Sequence, residues 1–260
     1  SDCEENGMKS IIHIITPIIT EGIRSLTDVE PFLRDDLAVR HSLIETGPAS
    51  IECEVDEALS VPGILEAALA AEQAGASAII IDCMGDPGLH ACREVVSIPV
   101  LGPAQTCMHY ASMLGQKFAF ITVLDQLKPM IDALVARYGL QGNYAGFGAI
   151  DVPVLDIEER IDDVVEQLFE SSLDSVTTSR AGAIILGCTG FFGCAEAISA
   201  RLEAAGHPVP VLDPIPLALH TADALVKTGL SHSASIYHKP RRKALRGYSL
   251  QKFYEDAGRG

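Results

Sequence analysis

Two cysteines carry the clearest chemical signal in this chain. Residues 78–88 read AIIIDCMGDPG and residues 183–193 read AIILGCTGFFG, so Cys83 and Cys188 hold the same place in a repeated A-I-I-x-x-C-x-G-x-x-G pattern. Paired thiols suit proton chemistry at carbon. Inverting a stereocentre needs a base on one face and an acid on the other, with donors that stabilise the enolate formed between them. The Cys83 thiolate would remove a proton from one enantiomer while the Cys188 thiol returns one, and the roles exchange for the other enantiomer. Neither a metal nor an organic cofactor is needed. Gly85 and Gly190 let the main chain approach a ligand without a Cβ, and the amides of Met84, Gly85, Thr189 and Gly190 can form two opposed nests for carbonyl or carboxylate oxygens. A thiol placed after a buried strand and before a helix is expected to feel the positive end of the helix dipole, which lowers its pKa from about 8.5 toward neutrality. Free cysteine more often serves as small apolar filler. That is the reading for Cys3, Cys53, Cys92, Cys107 and Cys194.

The elements that position the two thiols follow from the pattern around them. Short β-rich runs alternate with helix-length segments, the mark of repeated βαβ units. Strands are expected near Ser10 to Ile15, Leu37 to Ile44, Ser77 to Asp82, Pro99 to Leu101, Lys117 to Val123, Gly146 to Asp151, Ala183 to Leu186 and Pro208 to Leu212. Helices are expected over Val61 to Gln73, ending at Gly75, and over Ile157 to Thr178, before Gly182. The repeat extends beyond the cysteines: Ile98 to Pro103 reads IPVLGP and Val209 to Pro214 reads VPVLDP, and His109 and His220 lie equally far beyond the paired prolines. Matches in the same order indicate duplicated halves. The expected fold is therefore α/β: two similar Rossmann-like, doubly wound parallel-sheet lobes related by a pseudo-two-fold axis. Residues 8–103 plus 214–260 would form the first lobe with its tail, and residues 104–213 the second. Ligands of open α/β sheets bind beyond the carboxyl ends of the strands, so the active site belongs in the interlobe cleft.

Other residues are candidates at that cleft. Thr16, Gln105 and Thr122 lie at expected strand ends and can bind polar substrate atoms, although Thr also closes turns and caps helices. Phe191 and Phe192 can shape an apolar pocket or pack a core. Asp86 before Pro87 suits a helix start. His109 and His220 read as satisfied core histidines within helices.

Composition bounds the partners. A formal net charge of -16 disfavours nucleic acid and anionic membranes, and no apolar run approaches the roughly 20 residues of a membrane span. The partner left is a small-molecule substrate. The basic cluster Lys239, Arg241, Arg242, Lys243 and Arg246 reads as a solvated arm or a subunit contact. Seven cysteines, with no C-x-x-C or H-x-x-x-H pair, fit reduced thiols in the cytoplasm and give no support to a zinc site. The first seven residues read as a vector-derived remnant or a short polar leader, without the apolar core of a secretory signal.

At these residues the sequence resembles the aspartate/glutamate/hydantoin racemase superfamily, most closely its hydantoin and allantoin racemase branch. The segment CMGDPGL (Cys83 to Leu89) is similar to that branch's first cysteine motif, and the resemblance continues through LGQKFAFITVL (Leu114 to Leu124), RYGL (Arg137 to Leu140), DVPVLDI (Asp151 to Ile157), ILGCTGF (Ile185 to Phe191) and the stretch from Tyr237 to Tyr248. The resemblance implies two Rossmann-like lobes, catalytic cysteines at Cys83 and Cys188, no cofactor, and homo-oligomers. Its implied substrate is a 5-substituted hydantoin-like or allantoin-like carbon acid. Three stretches depart from the branch. Thr16, Pro17, Ile18 and Ile19 stand in place of Asn-Pro-Asn-Thr, Pro103, Ala104 and Gln105 in place of Gly-Glu-Ala, and Thr189, Gly190 and Phe191 in place of Ala-Gly-Met. These exchanges bear on the substrate rather than on the reaction type. Alternatives on the same scaffold are an amino-acid racemase, a maleate isomerase or an arylmalonate decarboxylase-like enzyme; the decarboxylases resemble a one-cysteine version of the site. A two-lobed, non-catalytic small-ligand binding protein is the alternative of another class.

Overall fold

A computed structural model of the chain describes residues 9–241 and 243–248. Residues 10–101 supply β1 (Ser10–Thr16), β2 (Leu37–Leu43), α1 (Glu54–Gln73), β3 (Ala78–Ile81), α2 (Leu89–Val95) and β4 (Val100–Leu101). Next comes α3 (Pro103–Gly115), followed by β5 (Phe118–Thr122), α4 (Lys128–Arg137), β6 (Tyr144–Ala149), α5 (Ile161–Thr178), β7 (Ala183–Leu186), α6 (Cys194–Ala204) and β8 (Val211–Leu212). The chain then returns through α7 (Pro214–Lys227). The strands form two parallel four-stranded sheets of the same topology, ordered β2-β1-β3-β4 and β6-β5-β7-β8.

The central strands are apolar because both of their faces are covered. β3 and β7 are buried at every position, and so is β5. Around the first sheet, Ile15, Ile79 and Ile81 pack with Ile64 and Ala68 of α1, while Ile12, Ile14 and Ile80 pack with Ile215 and Leu219 of α7. Around the second, Ile121 and Leu186 pack with Val164, Leu168 and Ile198, while Phe118, Phe120 and Ile185 pack with Met108, Ala111 and Leu134. The two helices that begin at the paired prolines cross between lobes: α3 packs on β5 and β7, α7 packs on β1 and β3, and the two touch each other. Among the described residues, no helix is long and apolar enough to cross a membrane.

Several local expectations are corrected. Helix α1 begins at Glu54 rather than near Val61 and carries Pro62 in its interior. The hydrogen bond lost at that proline is offset by burial of Gly63, Ile64, Ala68 and Ala71 against the sheet. His109 and His220 are exposed rather than core residues; their rings lie against Tyr138 and Phe32 at the surface. Asp86 does not begin its own helix. Its backbone is left-handed (φ 50), Gly88 caps α2, and the Asp86 carboxylate instead accepts hydrogen bonds from the Ala104 and Gln105 amides at the start of α3. Beyond α7 the chain folds back on the first lobe, where Tyr237 hydrogen-bonds His90 and Arg93 and the Val100 amide donates to His232. In the basic cluster, Lys239, Arg241, Lys243 and Arg246 are exposed, and Arg242 lies outside the described residues.

Candidate active site

In each sheet the strand order reverses beside the first strand, between β1 and β3 and between β5 and β7. A crevice opens at such points beyond the carboxyl ends of the strands. Here the two crevices face one cavity of about 100 Å³, walled on one side by Thr16, Asp82, Cys83, Met84 and Gly85 and on the other by Thr122, Gly187, Cys188, Thr189 and Gly190. Ile18, Ile23, Ile51, Val123, Leu127, Met130, Ile131, Val154 and Phe192 make the rest of the lining mostly apolar.

Each cysteine follows its strand by a single turn. The Cys83 amide donates to Ile81 and the Asp86 amide to Cys83; the Phe191 amide donates to Cys188, and the Gly190 amide reaches the Cys188 Sγ at 3.4 Å. Both cysteines are half-buried and unpaired. Their electrostatics reverse the sequence expectation of a lowered pKa. Burial pushes the Cys188 thiol up to about 12, against a smaller opposing pull from the Gly190 amide. Burial likewise pushes Cys83 well above the ordinary thiol range, opposed by the Gly85 amide and reinforced by Glu57, Cys188 and Asp86. The cause is geometric. Helix α2 starts only at Leu89 and α6 only at Cys194, so neither thiol stands at a helix N-terminus, and desolvation by the walls dominates. Burial therefore favours the neutral thiol at both positions.

The two threonines line the cavity but spend their hydroxyls on the protein. Thr122 donates to the Gly187 carbonyl at 2.7 Å, and Thr16 donates to Asp82 at 2.7 Å with His41 at 2.9 Å from the same oxygen. Thr189 reaches across the cleft to the Asp82 carbonyl at 3.4 Å. Met84, Gly85 and Gly190 border the cavity as expected of the nests. Gln105 and Phe191 do not border it. The Gln105 amide oxygen accepts from Arg93 at 2.8 Å, and Phe191 is buried in the core of the second lobe, leaving Phe192 to face the cavity.

Sequence reasoning missed three polar wall residues. Arg24 lies in the irregular segment between β1 and β2, nearly inaccessible, paired with Asp28 at 3.0 Å and Asp82 at 3.1 Å and lying over the Phe192 ring at 5.0 Å. No local pattern marks that segment. Asp82 sits directly before Cys83, which was a signal available in the sequence. Glu57 was missed because its helix was started too late. Its carboxyl lies against Gly85, where an added Cβ would meet Oε1 at 1.7 Å, and burial, then Glu54 and Asp86, raise it to about 7 while Arg137 opposes. Among the described residues, no group of three or more His, Cys, Asp or Glu is arranged to hold a metal ion.

Comparison with known proteins finds relatives of this fold. The family model described as Asp/Glu/Hydantoin racemase matches residues 27–222. A hydantoin racemase of Pseudomonas sp. (strain NS671) is 37% identical over 247 residues, covering 93% of this chain and 96% of that protein. A hydantoin racemase of Rhizobium meliloti is 35% identical over 247 residues, covering 92% and 98%. Among solved structures, allantoin racemase from Klebsiella pneumoniae superposes with a TM-score of 0.87 at 30% identity, over 94% of this chain and 99% of that one.

Proposed function

The chain belongs to the Asp/Glu/hydantoin racemase family and is an isomerase of the racemase kind; from that premise we propose that Cys83 and Cys188 are its opposed acid and base, working without a cofactor on a hydantoin-like carbon acid. The observation that carries the reading is the placement of both thiols at equivalent switch points, on opposite walls of one cavity. A neutral thiol is a proton donor as it stands, and its thiolate, once formed in a desolvated site, is a strong base. One cysteine in each form is what inversion needs. The proton leaves the stereocentre for one sulfur, the other sulfur delivers its own, and the charge on the enolate oxygen between them is met by the turn amides at Gly85 and Gly190. The next turnover of the opposite enantiomer starts from the exchanged protonation state.

Two features support a neutral ring over a free amino acid. Arg24 is the one cation among the described lining residues, and although its Nη1 has no hydrogen-bond partner its charge is already balanced by Asp28 and Asp82, so an α-carboxylate would meet no net positive charge. The apolar wall of Val123, Leu127, Met130 and Ile131 suits an alkyl or aryl substituent at the stereocentre.

The test is substitution of each thiol. Cys83→Ser and Cys188→Ser are each expected to abolish racemisation of enantiopure 5-substituted hydantoins, followed by optical rotation. Each variant is also expected to exchange the C5 hydrogen of one enantiomer only with solvent deuterium. Full racemase activity in either variant overturns the two-thiol mechanism.

A further inference from the structure

We propose that Glu57 is a substrate-binding residue whose carboxylate accepts a hydrogen bond from an N–H of the substrate ring, selecting cyclic amides with a free N–H at that position. The inference rests on the racemase reading above. Glu57 lies in the first turns of α1 and lines the cavity on the Cys83 side. Its carboxyl occupies the space that any side chain at position 85 would fill, so it stands over the turn carrying the nucleophilic thiol. Among the described residues, neither carboxyl oxygen has a hydrogen-bond donor or a salt-bridge partner. A carboxylate half-removed from water with no partner is costly, and its pKa reflects this, raised to about 7 chiefly by burial. The other acid lining the cavity, Asp82, has Oδ2 engaged by Thr16 and Arg24 although its Oδ1 is buried without a hydrogen-bond partner, and Asp86, behind the lining, binds two amides and the Tyr138 hydroxyl. Glu57 is the cavity carboxyl with neither oxygen engaged and no salt bridge, which leaves it to meet a donor that arrives with the ligand.

The donor it meets is an N–H. Ionised above about pH 7, the carboxylate is an acceptor only, so it repels the carbonyl and enolate oxygens, which then turn toward the backbone amides of the turns at Gly85 and Gly190. A ring that alternates carbonyl and N–H groups satisfies both walls at once. Its stereocentre then lies between the two sulfurs.

The experiment compares a 5-substituted hydantoin with its N1-methyl and N3-methyl derivatives, on the wild-type chain and on Glu57→Met, which keeps the side-chain length and removes the acceptor. Methylation of one nitrogen, and not of the other, is expected to lower the wild-type kcat/KM at least about ten-fold. In Glu57→Met that penalty is expected to shrink to within about two-fold, because the parent ring has lost the same bond, and Glu57→Gln, which retains an acceptor oxygen, restores part of it. An equal methyl penalty in wild type and Glu57→Met means a steric wall and overturns the inference, as does a wild-type chain indifferent to both methyl groups. If Glu57→Met does not fold, the same comparison between wild type and Glu57→Gln decides, an undiminished penalty counting against the carboxylate. A wild-type chain that racemises none of the unmethylated hydantoins instead defeats the racemase reading of the substrate, and the role of Glu57 with it.

Discussion

On the proposed mechanism the thiols at positions 83 and 188 would act from a form opposite to that usual for reactive cysteines, because the groups that could lower their pKa are single turn amides while the surrounding walls remove solvent. The free enzyme must lose one proton before either sulfur can act as a base. With Cys188 at about 12 and Cys83 also raised, the thiolate fraction grows about ten-fold per pH unit throughout the working range. The expected profile of kcat/KM therefore climbs from about pH 8 to 10 without a plateau; a flat profile across that interval would show that a thiolate already exists near neutrality. Glu57 leaves a separate mark, on stability. Its folded pKa lies above the unfolded value, so the folded chain holds the proton more tightly. The neutral form costs nothing below about pH 4.5, and the penalty of the charged form develops as pH rises from there to about 7. Glu57→Gln should consequently match the wild type in urea denaturation at pH 4 and exceed it by on the order of 1 to 2 kcal/mol at pH 8. The reverse order of stabilities would mean that the carboxylate has a partner.

At the scale of elements, the turns after β3 and β7 matter more than the helices beyond them. Asp86 joins three pieces of the chain: its left-handed backbone ends the Cys83 turn, its carboxylate caps α3, and the Tyr138 hydroxyl at the end of α4 donates to it at 2.5 Å. Gly102 makes room, since a Cβ there would meet the Asp86 carboxyl carbon at 2.4 Å. Asp86→Ala removes the cap and leaves the tyrosine unpaired, and should cost about 2 to 4 kcal/mol; Tyr138→Phe loses one bond and should cost about 1 kcal/mol, both read from urea midpoints. The sequence made the strands legible because buried parallel strands are continuous runs of β-branched and aliphatic residues, as in AIII and AIIL. It made both thiols legible through duplication, which places equivalent residues at equivalent points of two sheets. It hid the start of α1 behind Pro62, which reads as a helix beginning although tertiary packing carries the helix through it. With that start went Glu57. It hid Arg24 for a different reason: the segment after β1 has no period, and only the folded chain brings it between Asp82 and Phe192. Gln105, expected at a strand end, lies instead in the first turn of α3 with its side chain on Arg93, and of the two adjacent aromatics Phe191 packs the core while Phe192 faces the cavity.

For the whole molecule, the exchange of α3 and α7 between lobes ties the two sheets together, since the two helices pack on each other and on opposite sheets. The cavity between the lobes is about 100 Å³, less than the 300 Å³ or more of a typical small-ligand pocket. A substituted ring is therefore expected to need the lobes to part, which would break contacts that bridge the cleft. Arg24 lies over Phe192 there, and Glu52, just before α1, spans the cleft twice, its side chain accepting from the Val154 amide at 2.9 Å and its carbonyl accepting from Gln126 at 3.1 Å. Glu52→Ala removes the first of these bonds and also a charge that helps to raise Cys188, but none that acts on Cys83. If opening limits product release, this variant should raise KM several-fold with kcat equal to or above that of the wild type. It should also speed alkylation of Cys83 by iodoacetamide, measured peptide by peptide at fixed pH, because more of the population presents an open cleft; Cys188, whose thiol loses a neighbouring charge as well, is not the readout. Alkylation as slow as in the wild type, together with a lowered kcat, would place Glu52 in support of the catalytic arrangement and remove it from the gate.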